Sequence, residues 1–437
     1  MSSPSSAADE PRADRLGSTP EGRGKPSADE VAGRVTAEVV GRSHLMRPAG
    51  VAEVLAQAAR PLGVSGVQVY LADLQQRHLV PLAAADGRAP EVLAVDSTLA
   101  GRAFQTITVQ SGRPGSASQL WIPLVDGTER LGVLALTVSD SSEAMLARYQ
   151  TLASLAGMMI ASKASYSDTY AQVRRAREMA LQAELVWALL PPRTFATDGV
   201  LVTATLEPAY EAGGDAFDYS LLGDHLHVSI FDALGHDLGA GLLASVGIAS
   251  CRSTRRAGGS LASIMARADH AIARQFGQSR FVTALLCDLD LVTGLLRWIP
   301  CGHPPPLLIR GNRTVKELDR APQPPLGLVG VMDRQVQAAH DVEAMAAEYT
   351  ENLEPGDRVL LYTDGVTEGR AADGTPFGIR RLADFIIRHS SAGLPAPEMM
   401  RRLNRAILDY QHGRLRDDAT AVLIEWKPDR PERQLLP

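Results

Sequence analysis

The sequence predicts an α+β protein of more than one domain, and three observations carry that reading. Its 437 residues exceed one ordinary core. Its first half mixes short helical and strand patterns ahead of a long run of helical character, and its second half becomes strand-rich after Pro191-Pro192. Hydrophobic residues at 45% and charged residues at 22% are the proportions of a globular chain. The balance of 44 basic against 50 acidic side chains, net charge -6, lacks the basic excess of a nucleic-acid-binding domain, so no nucleic-acid partner is expected.

The elements follow in chain order. From Met1 to Arg34 the sequence holds almost no large apolar residue, and a disordered tail is expected there. VAEVLAQAARPLGV, Val51 to Val64, has apolar residues at helical spacing and stops at Pro61-Leu62-Gly63. VQVYLAD then reads as a strand, GRAFQT (Gly101 to Thr106) as a short helix, and Gln119 to Val138 as a hairpin turning at Asp126-Gly127. Glu143 to Leu190 contains no proline and a single glycine, Gly157, so one long interrupted helix is expected; its broken heptad favours a parallel coiled coil in a dimer.

Three cysteines, Cys251, Cys287 and Cys301, fit neither a disulfide framework nor a zinc knuckle and are expected as buried packing residues in a reducing compartment. No apolar run approaches the roughly 20 residues that cross a bilayer, and the N-terminus has no h-region of a signal peptide. These features point to a cytoplasmic protein without a membrane partner.

The stretch EAGGDAFDY, Glu211 to Tyr219, puts an aspartate behind two glycines. Such a turn can be a hairpin tip, the opening of a GGDEF cyclase signature, or one member of a dispersed metal cluster. Later strands favour the last. Asp232 follows VSIF, Asp364 follows VLLYT, and Asp417 with Asp418 precede TAVLIEW. Aspartate disfavours strand interiors, and one such placement is ordinary turn chemistry. Carboxylates at the ends of neighbouring strands can converge on a hard divalent cation such as magnesium or manganese, and without one they would repel.

Two families are resembled. The order of elements before Ser162, with WIPLVDGTERLGVLAL, resembles a GAF sensor domain over residues 44–162, which implies pairing or a small-molecule or protein effector; the domain has no cysteine for bilin attachment or thiol redox sensing. Residues 163–190 would be the linker helix. The ordered series EPAYEAGGDAFDY, FDALGHD, FVTALLCDLD, PCGHPPPLLI, LLYTDGVTEGRAADGTPFG and RDDATAVLI closely resembles the SpoIIE-like branch of the PPM metal-dependent serine/threonine phosphatases. That domain would span residues 191–427, with 428–437 a tail. The resemblance implies an α/β/β/α sandwich.

It also implies a metal site. Asp215 would be a metal carboxylate acting partly through water, Asp232 the bridging ligand, the carbonyl of Ala233 a further ligand, and Asp364 and Asp417 the remaining carboxylates. Asp418 is the runner-up to Asp417, because two adjacent aspartates cannot both face inward from a strand-like segment. Asp218 is expected as a structural hydrogen bonder. The usual Gly-His-Gly is here Gly235-His236-Asp237; Asp237 is expected to cap the next helix, His236 to orient backbone, and His303 to be structural.

Two cations, Mn2+ or Mg2+, would activate water for direct attack on phosphoserine or phosphothreonine, with no phospho-enzyme. Family resemblance further implies a phosphorylated STAS-domain anti-sigma-factor antagonist as substrate, a role in stress response, and a homodimer whose linker helix transmits the sensor's state. A non-catalytic phosphoprotein-binding scaffold is the alternative, opposed by the intact aspartate set. A GGDEF cyclase would carry glutamate where Ala216 stands.

Overall fold

The computed structural model describes residues 27–82, 90–112, 118–311, 313–329, 339–413 and 415–428. Most of the expected N-terminal and C-terminal tails lies outside them. Residues 28–34, expected in the tail, instead begin helix α1 (Ala28–Ser43). A capping box holds its start: Ser27 accepts from the Glu30 amide while Glu30 accepts from the Ser27 amide. Val35 and Val39 are buried in the N-terminal core, which supplies the packing energy that composition alone did not suggest.

In the N-terminal domain, strands β1 (Val64–Ala72), β2 (His78–Pro81), β3 (Leu93–Ala94), β4 (Gln110–Gly112), β5 (Ser118–Asp126) and β6 (Glu129–Val138) form one sheet in the order β3-β2-β1-β6-β5-β4. Alternation along β1 sends Val69 and Leu71 to a face covered by α1, α2 (Val51–Ala59) and α4 (Glu143–Ala164). Tyr70 and Ala72 point to the other face, against Ala100, Ala103 and Phe104 of α3 (Leu99–Thr106). The expected hairpin turns at Gly127, whose φ of 57° suits glycine.

The single long helix expected from Glu143 to Leu190 is three helices: α4, α5 (Thr169–Arg174) and α6 (Leu181–Leu189). Tertiary hydrogen bonds win over propensity at the second break. The Arg174 carbonyl accepts from the Leu74 amide, the Ala176 amide donates to the Tyr210 hydroxyl, and the Ala180 amide donates to the Tyr210 carbonyl. At the first break, the Ser167 hydroxyl accepts from the Thr169 amide, a local bond that competes with the helical ladder.

The C-terminal domain is an α/β/β/α sandwich. One sheet runs β15 (Tyr349–Asn352), β12 (Leu295–Cys301), β11 (Val282–Asp290), β10 (His225–Ala233), β9 (Asp215–Leu222). The other runs β14 (Thr314–Glu317), β13 (Leu307–Arg310), β16 (Arg358–Tyr362), β17 (Ala419–Trp426), β8 (Val200–Glu207), β7 (Thr194–Ala196). Phe217, Ile230, Trp298, Val359, Val422 and Ile424 pack between the sheets. Helices α7 (Leu238–Arg256) and α8 (Leu261–Phe276) cover the first sheet, with α9 (Ala339–Met345) against α8. Past the short α10 (Asp364–Glu368), α11 (Gly378–Ser391) and α12 (Ala396–Tyr410) cover the second. With both faces buried, β17 reads as a continuous apolar run rather than an alternation.

Candidate active site

The two sheets contribute acidic residues to one edge of the sandwich. Asp215 opens β9 and Asp232 lies near the end of β10, and the two are direct register partners, so their side chains share a face. Across the sandwich, Asp364 begins α10 just after β16, while Asp417 and Asp418 immediately precede β17, the strand paired with β16. Four hydrogen bonds tie the edges together. Thr363 Oγ1 donates to Asp215 Oδ2 at 2.7 Å, and Asp418 Oδ2 accepts from the amides of Gly213, Gly214 and Asp215 at 2.8, 2.7 and 3.3 Å.

Those amides explain the two glycines. A Cβ on Gly214 would come within 2.8 Å of the Ala233 carbonyl oxygen and 2.6 Å of the Gly235 carbonyl oxygen, and one on Gly213 within 2.7 Å of the His236 carbonyl oxygen. The turn is a place of close backbone approach rather than a hairpin tip.

The electrostatics report the same convergence. Burial, then the charges of Asp232 and Asp418, push the Asp215 carboxyl well above the usual carboxylate range, partly offset by the Thr363 hydroxyl. Asp232 is pushed up to about 7 by burial and then by Asp364, Asp417 and Asp418. Burial, Asp417 and Glu368 raise Asp364. Burial also raises Asp418, against the pull of its three backbone donors. Every charge acting on Asp232 in this account is another carboxylate, so the cluster repels itself.

Asp417 and Asp418 are distinguished by burial. Asp418 is buried with one oxygen committed to backbone, whereas Asp417 is exposed and lines a cavity of about 190 Å3 with Asp364, Glu368, Arg370, Gln411 and Arg416. Among the described residues no three His, Cys, Asp or Glu side chains already form a closed ligand set for one ion. The donor set nevertheless suits an oxygen-seeking divalent cation: all carboxylates, mutually repelling, beside a carbonyl that a larger residue at position 214 would crowd.

The remaining expected residues fall outside the cluster's chemistry. Buried Asp218 is paired with Arg252 at 2.7 Å and Arg255 at 3.0 Å, a structural role as expected. Asp237 caps α7 by accepting from the Ala240 amide and pairs with Arg280. His236 is exposed, and its carbonyl lies 3.5 Å from Gln182 Nε2. His303 is buried against the Thr283 hydroxyl at 2.9 Å, and burial lowers its imidazole to about 3. All three cysteines are buried; burial pushes the Cys251 thiol up to about 12 and raises Cys287 and Cys301 further. Sequence reasoning missed Thr363, which stands in the quoted LLYTDG, where a threonine before a strand-end aspartate was the available signal.

An α/β/β/α sandwich gathering aspartates from both sheets at one edge is the fold expected above from the resemblance to the PPM phosphatases. Residues 223–427 match the family model of stage II sporulation protein E (SpoIIE). The match includes Asp232, Asp364, Asp417 and Asp418, while Asp215 precedes it. The chain is 22% identical over 253 residues to the phosphoserine phosphatase RsbU of Bacillus subtilis, covering 57% of this chain and 70% of RsbU. It is 25% identical over 180 residues to the phosphoserine phosphatase RsbP of the same organism, covering 40% of this chain and 41% of RsbP. Among solved structures, the SiaA-PP2C domain of Pseudomonas aeruginosa aligns with a TM-score of 0.46 at 21% identity, covering 56% of this chain and 93% of that one.

Proposed function

We propose that the chain is a protein serine/threonine phosphatase dependent on Mn2+ or Mg2+, and that its substrate is a phosphorylated STAS-domain anti-sigma-factor antagonist. The meeting of Asp215, Asp232, Asp364 and Asp417 from two sheets, each raised or exposed and none offset by a basic partner in the shifts above, is the observation that carries this reading. The names of RsbU and RsbP as phosphoserine phosphatases support the substrate class.

Asp215, Asp232, Asp364, Asp417 and the Ala233 carbonyl would hold two cations. When bound, such cations supply a water of lowered pKa and neutralise the phosphoryl oxygens. The chain's own residues set the stage for this. Thr363 orients Asp215, and Asp418 fixes the Gly213-Gly214 turn in place of serving as a ligand. Burial keeps His303 out of the imidazolium form at neutral pH, so it is no general acid there, and the buried cysteines offer no thiolate nucleophile.

The same reading takes the N-terminal domain as a GAF-like sensor for an effector and the assembly as a homodimer. No helix among the described residues is long and apolar enough to cross a membrane. The test is phosphate release from a phosphorylated STAS-domain protein with Mn2+, with chelator, and with Asp232→Asn and Asp364→Asn. Activity that survives chelation or either substitution overturns the metal mechanism.

A further inference from the structure

Glu207 ends β8 and faces Ala419 in the β8–β17 register, one residue beyond Asp417-Asp418. In the other direction the chain runs through Pro208–Ala212 into Gly213-Gly214-Asp215. Two of the four carboxylate-bearing segments of the proposed metal site, those of Asp215 and Asp417, therefore depart from this point. The side chain is only 1% exposed. Its Oε2 accepts from the Ala209 amide at 2.9 Å and from Gln75 Nε2 at 3.1 Å, and its Oε1 accepts from Asn404 Nδ2 at 3.0 Å.

Those three donors belong to three different parts of the molecule. Ala209 lies on the path to Asp215, and its carbonyl accepts from Trp187 Nε1 at 2.8 Å, so the peptide groups on both sides of the residue are held. Asn404 is on α12, against the second sheet. Gln75 comes from the N-terminal domain, in the turn between β1 and β2. That turn is itself anchored: Arg130 Nη2 donates to Gln76 Oε1 at 3.0 Å, and Arg401 Nη1 donates to the Gln76 carbonyl at 3.4 Å. Burying a carboxylate is costly unless it is fully hydrogen-bonded, and a neutral side chain would stitch a strand end more cheaply.

We propose that Glu207 is a positioning residue that sets the spacing between the Asp215 and Asp417 segments, and that Gln75 makes this spacing depend on the N-terminal domain. The proposal rests on the metal-phosphatase reading above. It gives the N-terminal domain a direct hold on the site that does not pass through a coiled coil.

The test uses the full chain and reads Mn2+ binding by calorimetry beside phosphate release and thermal stability. Glu207→Ala is expected to weaken Mn2+ binding about tenfold or more, as loss of supporting contacts around metal ligands does, and to lower kcat with KM for the phosphoprotein nearly unchanged. Glu207→Gln is expected to restore most of the affinity. The new carboxamide keeps an acceptor, and its N–H can meet Asn404 Oδ1, which is buried without a partner among the described residues. Gln75→Ala, a change in the N-terminal domain, is expected to weaken Mn2+ binding by a smaller factor at unchanged melting temperature.

Unchanged Mn2+ affinity in a folded Glu207→Ala, or in Gln75→Ala, overturns the proposal. So does an affinity that falls only in step with melting temperature. If Glu207→Ala does not fold, Glu207→Gln and Gln75→Ala decide. Failure of the unmodified chain to bind Mn2+ would instead sink the metal reading itself, a result that wild-type calorimetry separates from the variants.

Discussion

Arg130 on β6 donates to Glu398 on α12 at 3.3 Å, joining the two domains through side chains that are 3% and 1% exposed. The pair is part of a larger network. Arg130 also donates to the Pro397 carbonyl at 2.9 Å and lies over the Phe104 ring, while Glu398 accepts from Arg401 at 2.8 and 2.9 Å and from Arg402 at 2.9 Å. Arg401 reaches back to Asp96 of the N-terminal domain at 2.6 Å. Burial alone would raise the Glu398 carboxyl, but Arg401, Arg130 and Arg402 hold it below its ordinary value.

Arg130→Met should therefore destabilise the chain by about 3 kcal/mol, the lower end for breaking a buried pair, since Arg401 and Arg402 still face Glu398. Urea unfolding at neutral pH measures it. Because the folded carboxyl is depressed, its contribution is complete above the unfolded value of 4.5 and is lost as pH falls through the lower folded value. The gap between wild type and variant should accordingly narrow as pH falls below 4.5 and close once it has passed the lower folded value. A gap that persists there would show that packing on Phe104, not charge, is what Arg130 supplies.

The neighbouring aspartates should behave oppositely. Asp418→Ala strands three backbone donors, a loss of about 1–3 kcal/mol or more, while Asp418→Asn keeps an acceptor oxygen and should be milder. Asp417→Asn should leave the melting temperature of the metal-free protein nearly unchanged and abolish its rise on adding Mn2+. If Asp418→Asn removes the Mn2+ response while Asp417→Asn keeps it, the two roles are exchanged.

Gly365 admits no larger side chain. A Cβ there would sit 1.9 Å from the Asp418 carbonyl oxygen, so Gly365→Ala must push α10 away from the start of β17, at a cost of about 1–3 kcal/mol or more. Gly199, with nothing within 4 Å of its Cβ position, is the control, and Gly199→Ala should be nearly neutral. Thermal unfolding of the two variants compares them directly.

The parts of this site legible in the sequence were those written locally. Aspartates placed at or beside strand ends mark Asp232, Asp364 and Asp417 as candidates, and a polar residue ahead of an apolar helix marks Asp237 as a cap. What was not legible depends on chain segments far apart. Glu207 draws its partners from 132 and 197 positions away, and nothing near a strand-ending glutamate announces them. Propensity could not foresee the break after Arg174, because Leu74 and Tyr210 impose it from other elements. Nor could the sequence show that Asp418 is held by the Gly213-Gly214 amides, which reach it from the opposite sheet.

Metal removal gives the last prediction. Burying the Asp215 and Asp232 carboxylates opposite one another costs the metal-free fold stability, because like charges in register repel. A cation that binds only the folded chain returns stability by mass action, about 2.7 kcal/mol when its free concentration is a hundred times Kd. Chelator should therefore lower the melting temperature of the wild type, and excess Mn2+ should restore it. Asp232→Asn relieves the repulsion and removes a ligand together. It should thus melt higher than the chelated wild type yet gain little on adding Mn2+, and a full Mn2+ gain in that variant would remove Asp232 from the site.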